Sequence, residues 1–229
     1  MYKNLFIDFD DTLWDTQTNN KKCLEELYAG YHFDRYYASF EAFYDYYQPY
    51  NLQLWQQYHH HEIDRRTLII ERFRHILQPT GACDDESILR FNRDFLEKTT
   101  GKIALLPGAI ELLEYLRPSY KLIILSNGFR EIQHKKLANA GLTPYFHRII
   151  LSEDAGYQKP HKEIFDYALK NTNSRRTETL MIGDNWDADI AGAKQAGIAQ
   201  LWFNPQNLPP GGFSPTFTAR SLAGIKEIL

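Results

Sequence analysis

The chain is short of cysteine, of long apolar runs and of excess charge, and each shortage excludes a class of protein. Two cysteines among 229 residues are too few for a disulfide scaffold. No apolar stretch is long enough to cross a bilayer, so we expect no contact with a membrane. The formal net charge of -3, with Lys and Arg scattered along the chain, gives no basic surface for a nucleic acid polymer.

The few cysteines and the first residues favour a cytoplasmic location. The chain begins M-Y-K-N-L-F-I-D, without a basic segment followed by a long apolar stretch, so no secretory signal is visible. Free thiols are expected at Cys23 and Cys83, although the sequence alone leaves a bridge between them open. With 43% hydrophobic residues, a chain of this length can bury a sizeable core.

Short apolar runs alternate with helical patterns over most of the chain. We expect buried strands at residues 5–9, 122–125, 148–151, 180–182 and 200–203. Helices are predicted at residues 109–116, 130–140, 165–170 and 190–196. This alternation is typical of an α/β fold with a Rossmann-like, doubly wound parallel sheet that helices cover on both faces.

Residues 16–100 interrupt the alternation, because they carry helical periodicity, many aromatic residues and no convincing buried strand. We expect helices at 19–29, 39–47, 52–60, 65–77 and 85–99, with breaks at Gly30, Pro49 and Pro79-Thr80-Gly81. The predicted domains are an α/β core of residues 1–15 and 101–229 and an inserted helical bundle of residues 16–100. We expect the bundle to lie over the strand ends.

The most informative motif is D-F-D-D-T at residues 8–12, directly after the apolar run Leu5-Phe6-Ile7. Unpaired buried charges are expensive, so a buried strand that ends in carboxylates indicates an active site rather than a core. Residues i and i+2 of an extended segment lie on the same side. Asp8 and Asp10 can therefore converge on one ligand while Phe9 points into the protein, so that one carboxylate attacks and the other moves protons.

Another predicted strand also ends in acids. The run T-L-M-I-G-D-N-W-D-A-D carries Asp184, Asp187 and Asp189 after its apolar residues, and parallel strands deliver their ends to a common edge of the sheet. Asp184 beside Asp8 would form the oxygen-rich site that Mg²⁺ prefers. A carboxylate nucleophile needs such a cation to approach a negatively charged phosphate monoester.

Two further segments complement the carboxylates. Ser126-Asn127-Gly128 follows the strand K-L-I-I-L, where a hydroxyl and backbone N–H groups that lead into a helix can hold phosphate oxygens. Lys159, in G-Y-Q-K-P-H, adds a positive charge. Each feature alone also fits a solvated turn, a helix cap or a surface lysine. Their joint occurrence, each after its own strand, favours a phosphate site.

These four motifs resemble those of the haloacid dehalogenase-like hydrolase superfamily, and the likeness covers the whole α/β core. The resemblance implies that Asp8 is a nucleophile that forms an aspartyl-phosphate. It implies that Asp10 protonates the leaving alcohol and then activates water. Dehalogenase members, which act on carbon, lack the second aspartate and do without magnesium. Asp10 therefore predicts a phosphatase, although phosphomutases also retain this residue.

The same resemblance implies the ligands of the site. Mg²⁺ would be held by Asp8, the backbone carbonyl of Asp10, and Asp184. The phosphate would be bound by the segment Ser126-Asn127 and by Lys159. Asp189 would support both the water shell of the metal and the lysine.

The inserted helical segment resembles the cap domain of the superfamily, which closes over the site and selects the leaving group. Phe129 after S-N-G, together with L-W-Q-Q-Y, K-P-H-K-E-I-F-D-Y-A-L and M-I-G-D, is similar to bacterial pyrimidine 5'-nucleotidases. This likeness implies a small-molecule phosphate monoester as substrate, namely a nucleoside monophosphate. The cap offers aromatic rings for stacking on a base, although most of them are expected in the bundle core. These are Tyr36, Tyr37, Tyr44, Tyr46, Tyr47, Trp55 and Tyr58.

Two alternatives stay open. The first is a phosphatase or phosphomutase that acts on small sugar phosphates. The second is a non-catalytic relative that binds a phosphorylated ligand or a protein partner. The second is disfavoured because every motif residue is retained, and a site that only binds would not need Asp10 as a proton carrier.

Overall fold

The computed structural model describes residues 1–229 and separates into two compact units. The α/β unit consists of Met1–Thr16 and Ile103–Leu229, and the helical unit consists of Gln17–Lys102. No helix combines the length and the apolar character that crossing a membrane requires. Both cysteines are free thiols. A role of the helical unit as a cap stays a prediction.

The strands and helices are numbered in chain order. The strands are β1 (Asn4–Ile7), β2 (Lys121–Ser126), β3 (Arg148–Leu151), β4 (Thr179–Gly183), β5 (Ala199–Phe203) and β6 (Phe217–Ala219). The helices are α1 (Thr16–Gly30), α2 (Phe40–His59), α3 (Arg65–Leu77), α4 (Asp85–Thr100), α5 (Ala109–Leu116), α6 (Arg130–Asn139), α7 (Ser152–Ala155), α8 (Lys162–Thr172), α9 (Gly192–Gln195) and α10 (Leu222–Ile228). A π-helical segment, Trp186–Ala191, precedes α9.

One parallel sheet of six strands forms the centre of the α/β unit, in the order β3-β2-β1-β4-β5-β6. Strand β1 lies between β2 and β4, and its last residue, Ile7, is in register with Ile124 and Ile182. This sheet confirms the predicted doubly wound α/β fold. Strand β6 was not predicted, because its three residues F-T-A form no apolar run.

Both faces of the sheet are buried, which explains why its strands are nearly continuous apolar runs. Along β1, Leu5 and Ile7 belong to one hydrophobic cluster with Leu113 of α5. Phe6 points to the other face, where it belongs to a second cluster with Phe165 of α8. The central strand is therefore held from both sides, and the residues that follow it start from a rigid position.

The helical unit corrects one prediction. Helix α2 continues through Pro49, where the sequence predicted a break between two helices. A proline inside a helix removes one backbone hydrogen bond and normally kinks or ends it. Here the buried face extends on both sides of the proline, through Phe43, Tyr47, Asn51 and Leu54. We infer that packing of this continuous face outweighs the local preference of Pro49.

Aromatic rings form much of the core of the helical unit. Phe91 of α4 is fully buried, and its ring centroid lies 4.9 Å from that of Tyr31 and 5.0 Å from that of Phe73. The ring centroid of Phe33 lies 5.8 Å from that of Phe91. The bundle is therefore joined through ring contacts between residues that are distant in sequence.

Replacing Phe91 with alanine should lower the free energy of unfolding by about 3–5 kcal/mol, because the truncation leaves a cavity between three rings. Chemical denaturation followed by circular dichroism measures this loss. The control is Leu52→Ala, at a side chain on α2 that is 58% exposed, which should change stability by at most about 0.5 kcal/mol. A loss in Phe91→Ala as small as in the control would contradict the packing described.

Candidate active site

The end of the central strand carries a buried ion pair. Asp8 follows β1, and its Oδ1 accepts a hydrogen bond from Nζ of Lys159 at 2.6 Å. The same Nζ donates to Oδ1 of Asp189 at 2.6 Å and to the carbonyl oxygen of Leu125 at 2.7 Å. An ammonium group has three hydrogens, so all of them are used. Lys159 therefore joins the loops that follow β1 and β4.

The electrostatics of this pair follow from burial and from the acids around it. Burial alone would lower the pKa of Lys159, but the attraction of Asp189 and Asp8 outweighs it and raises the pKa above its ordinary value. Burial also raises the pKa of Asp8, to about 7, against the attraction of Lys159. Lys159 is thus a fixed positive charge between two acids, and one charge does not neutralise both.

Asp184, at the end of β4, is positioned by Thr12 of the first motif. Oγ1 of Thr12 donates to Oδ1 of Asp184 at 2.7 Å and accepts the backbone N–H of Asp184 at 3.1 Å. Nε1 of Trp202 donates to the carbonyl oxygen of Asp184 at 2.9 Å. Burial raises the pKa of Asp184 well above its ordinary value, and the nearby carboxylates Asp8 and Asp189 raise it further.

Three carboxylates meet at this edge of the sheet. Asp8, Asp184 and Asp189 each offer one oxygen, and these oxygens lie within 4.8 Å of one another. Lys159 pairs with Asp8 and Asp189 but is the only cation among the contacts described for these three groups. The group therefore combines oxygen ligands with uncompensated negative charge, and both properties suit a hard divalent cation such as Mg²⁺.

The loop after β4 depends on a glycine. A Cβ atom at Gly183 would overlap the carboxylate of Asp189, so only glycine leaves room for this acid. Oδ2 of Asp189 accepts the backbone N–H of Asn185 at 3.1 Å, and Oδ1 of Asn185 accepts that of Ala188 at 2.9 Å. The helix predicted at 190–196 is present as the short α9, and the helical structure starts earlier than predicted, with the π-helical segment Trp186–Ala191. Such π-helical turns are frequent at functional sites.

The segment after β2 contributes in two ways. Oγ of Ser126 accepts hydrogen bonds from the N–H of Gly128 at 3.1 Å and from Nε2 of Gln133 at 2.8 Å. The side chain of Asn127 binds the backbone of Lys159 instead, through Nδ2 to the carbonyl oxygen and Oδ1 to the N–H, both at 2.8 Å. Asn127 therefore fixes the backbone of the lysine, which leaves its own backbone for any contact with phosphate.

Asp10 lies at the same edge, and its carboxylate contacts α6. The chain turns at Asp11, where φ is 60°, so Asp10 no longer belongs to a straight strand. Oδ1 of Asp10 accepts a hydrogen bond from Nζ of Lys136 at 2.7 Å, and Oδ2 accepts one from Nε2 of Gln133. Oγ1 of Thr16 lies 3.4 Å from Oδ1 of Asp10.

Sequence reasoning missed Gln133 and Lys136. Both are buried in α6, on the face that also buries Ile132 and Leu137. Polar and charged side chains on the apolar face of a helix need partners, because burying them alone is costly. This conflict with the helical pattern was the available signal. Thr12 and Trp202 were likewise not predicted as contacts of Asp184.

Comparison with known proteins identifies the family. A model of the haloacid dehalogenase-like hydrolases matches residues 2–197. The chain therefore belongs to this family of hydrolases, as its motifs predicted. The match includes the D-F-D-D-T segment and the G-D-N-W-D-A-D segment, which supply the three clustered carboxylates.

Several relatives match nearly the whole chain. The HAD-hydrolase YfnB of Bacillus subtilis (strain 168) is 33% identical, over 100% of this chain and 95% of YfnB. The pyrimidine 5'-nucleotidase YjjG of Escherichia coli (strain K12) is 33% identical, over 98% of this chain and 96% of YjjG. The pyrimidine 5'-nucleotidase PynA of Streptococcus pneumoniae (strain ATCC BAA-255 / R6) is 34% identical, over 90% of this chain and 86% of PynA. A crystal structure of YfnB bound to magnesium gives a TM-score of 0.87 at 30% identity, covering 99% of this chain and 98% of that one.

Replacing Lys159 with methionine should cost about 3–5 kcal/mol of stability, because it leaves Asp8 and Asp189 buried without their cation. Thermal and chemical unfolding at neutral pH measure this loss. The matched control is Lys162→Met, at an exposed lysine whose pair with Asp166 is 3.8 Å long. Its effect should stay below about 1 kcal/mol. Equal stabilities of the two variants would show that the buried pair does not hold the strand ends together.

Proposed function

We propose that this protein is a Mg²⁺-dependent phosphatase that hydrolyses nucleoside monophosphates, with a preference for pyrimidine nucleotides, through an aspartyl-phosphate on Asp8. The observation that carries the proposal is the grouping of Asp8, Asp184 and Asp189 around the buried Lys159 at one edge of the sheet. The likeness of the whole chain to YjjG and PynA supports the nucleotide as substrate.

The ligand set supports magnesium. The carboxylates of Asp8 and Asp184 and the backbone carbonyl of Asp10 would hold the ion, and Asp189 would act behind them through Lys159. When bound, Mg²⁺ supplies positive charge that lets an anionic nucleophile approach an anionic phosphate. The related YfnB has been crystallised with magnesium, which agrees with this assignment.

The side chains of the site can carry out the two steps of hydrolysis. A carboxylate oxygen of Asp8 attacks phosphorus, and the bond from phosphorus to the leaving oxygen breaks while a protonated Asp10 gives that oxygen its proton. Water then attacks the phosphorus of the aspartyl-phosphate, and Asp10 takes the proton that the water loses. This second step breaks the bond between phosphorus and Asp8 and releases inorganic phosphate.

The remaining residues bind and orient the phosphoryl group. Ser126 offers a hydroxyl, and the backbone N–H of Asn127 precedes helix α6, whose amino-terminal end favours an anion. The N–H of Gly128 acts through Ser126, because it donates to Oγ of that residue. Lys159 adds a positive charge that is already fixed by two acids and a carbonyl oxygen. Groups that are held in place before the substrate arrives need little rearrangement during the reaction.

The substrate class is tested by measuring phosphate release from UMP, CMP, GMP, a hexose phosphate and glycerol phosphate, each with Mg²⁺ and with EDTA. Pyrimidine nucleotides should give the highest kcat/KM, and EDTA should abolish turnover of every substrate. Equal or better turnover of the sugar phosphates would remove the nucleotidase assignment. Full activity in EDTA would contradict the requirement for Mg²⁺.

The role of Asp8 is tested by Asp8→Asn, which keeps the size of the side chain but removes the nucleophilic carboxylate. Turnover should fall by at least about 1,000-fold, because the covalent route is lost, while the circular dichroism spectrum stays native. The control is Asp187→Asn, at an exposed acid in the π-helical segment after β4, which should retain activity within about twofold. An Asp8→Asn variant with full Mg²⁺-dependent activity would contradict covalent catalysis at this residue.

A further inference from the structure

Two buried side chains of α6 contact both oxygens of Asp10. Nζ of Lys136 donates to Oδ1 at 2.7 Å, and Nε2 of Gln133 donates to Oδ2. Lys136 is only 7% exposed, and its other described contact is the ring of Trp14, whose centroid lies 3.7 Å from Nζ. Asp10 is thus the one carboxylate that pairs with this buried lysine.

Gln133 also connects Asp10 to the residue proposed to bind phosphate. An amide NH₂ group has two hydrogens, and here one goes to Asp10 and the other to Oγ of Ser126 at 2.8 Å. A Cβ atom at Gly128 would overlap the amide of Gln133, so the glycine of S-N-G leaves the space in which this side chain reaches the site. One side chain therefore sets the distance between Asp10 and Ser126.

The geometry points to Lys136 and Gln133 as positioning residues that fix the carboxyl group of Asp10 for proton transfer to the leaving oxygen. This inference rests on the proposed phosphatase function of the same site. A general acid must lie within hydrogen-bond reach of the atom that it protonates. Asp10 follows a turn and its side chain is 30% exposed, so without these contacts its carboxyl group would rotate.

The two contacts leave Asp10 able to act. Each carboxylate oxygen has about two acceptor positions, and Lys136 and Gln133 each use one position on a different oxygen. Oδ1 also accepts the hydroxyl of Thr16 at 3.4 Å, so the second position on Oδ2 is the one that stays available for the proton that is transferred. Charge attraction and a neutral hydrogen bond thus orient the group from two directions.

A positioning role for proton transfer makes a specific prediction about the leaving group. Nitrophenolate leaves without a proton, whereas the alkoxide of a nucleoside or a sugar needs one. The ratio kcat/KM reports steps up to formation of the phosphoenzyme, so it contains the proton transfer to the leaving oxygen but not the later attack of water. Loss of the contacts of Lys136 and Gln133 with Asp10 should therefore slow the hydrolysis of alkyl phosphates far more than that of p-nitrophenyl phosphate.

The experiment compares Lys136→Met and Gln133→Leu with the wild-type protein and with Lys135→Met, the exposed lysine one position earlier in α6. The substrates are UMP and p-nitrophenyl phosphate in saturating Mg²⁺. We expect kcat/KM for UMP to fall about 100-fold in Lys136→Met, and for p-nitrophenyl phosphate less than about fivefold. Gln133→Leu should show a smaller selective loss for UMP, in addition to a loss common to both esters because its contact with Ser126 is also removed. Lys135→Met should match the wild type for both.

Equal losses with both esters, or no loss, would overturn the inference, since the residues would then support only the fold or the phosphate contacts. If Lys136→Met does not fold, the same comparison of the losses in kcat/KM for UMP and p-nitrophenyl phosphate is made with Gln133→Leu. A wild type that hydrolyses p-nitrophenyl phosphate but not UMP would overturn the nucleotide assignment, and glycerol phosphate would then serve as the alkyl ester. A wild type without activity on any ester would overturn both proposals.

Discussion

The edge of the α/β unit that carries the candidate active site depends on one buried ammonium group. Lys159 contacts Asp8, Asp189 and the carbonyl oxygen of Leu125, so residues that follow β1 and β4 and the end of β2 are tied to one atom. These are the three neighbouring strands at the centre of the sheet. A buried charge of this kind is favourable only if its partners are held in place, and the parallel register supplies that rigidity. The sheet and the site therefore stabilise each other.

The same arrangement leaves an excess of negative charge. Three carboxylates lie within 4.8 Å, and the chain places one lysine among them. Thr12 and Trp202 then hold Asp184 through hydrogen bonds that carry no full charge. A protein built only for stability would neutralise such a cluster or avoid it. The cost is explained by the proposed function, in which the site receives a divalent cation and an anionic substrate.

Much of the fold and part of the site could be predicted from sequence, because both depend on short local patterns. Each predicted strand is an apolar run, and the acids of two motifs stand directly after such runs. The contacts of Gln133 and Lys136 with Asp10 could not be read in this way, because they join residues more than 120 positions apart. The break predicted at Pro49 was wrong for a related reason, since helix α2 is maintained there by packing and not by local propensity.

The two catalytic carboxylates that we propose differ in their surroundings, and this difference matches their different tasks. Asp8 pairs with a buried lysine that also binds a second acid, so its position is fixed while its charge is only partly compensated. Asp10 is more exposed and has a lysine of its own, Lys136, with an amide on its other oxygen. A nucleophile must keep one position relative to phosphorus, whereas a proton carrier must exchange its proton with the leaving alcohol and with water. Separate lysines allow the chain to meet these two requirements independently, although the carboxylates stand only two residues apart.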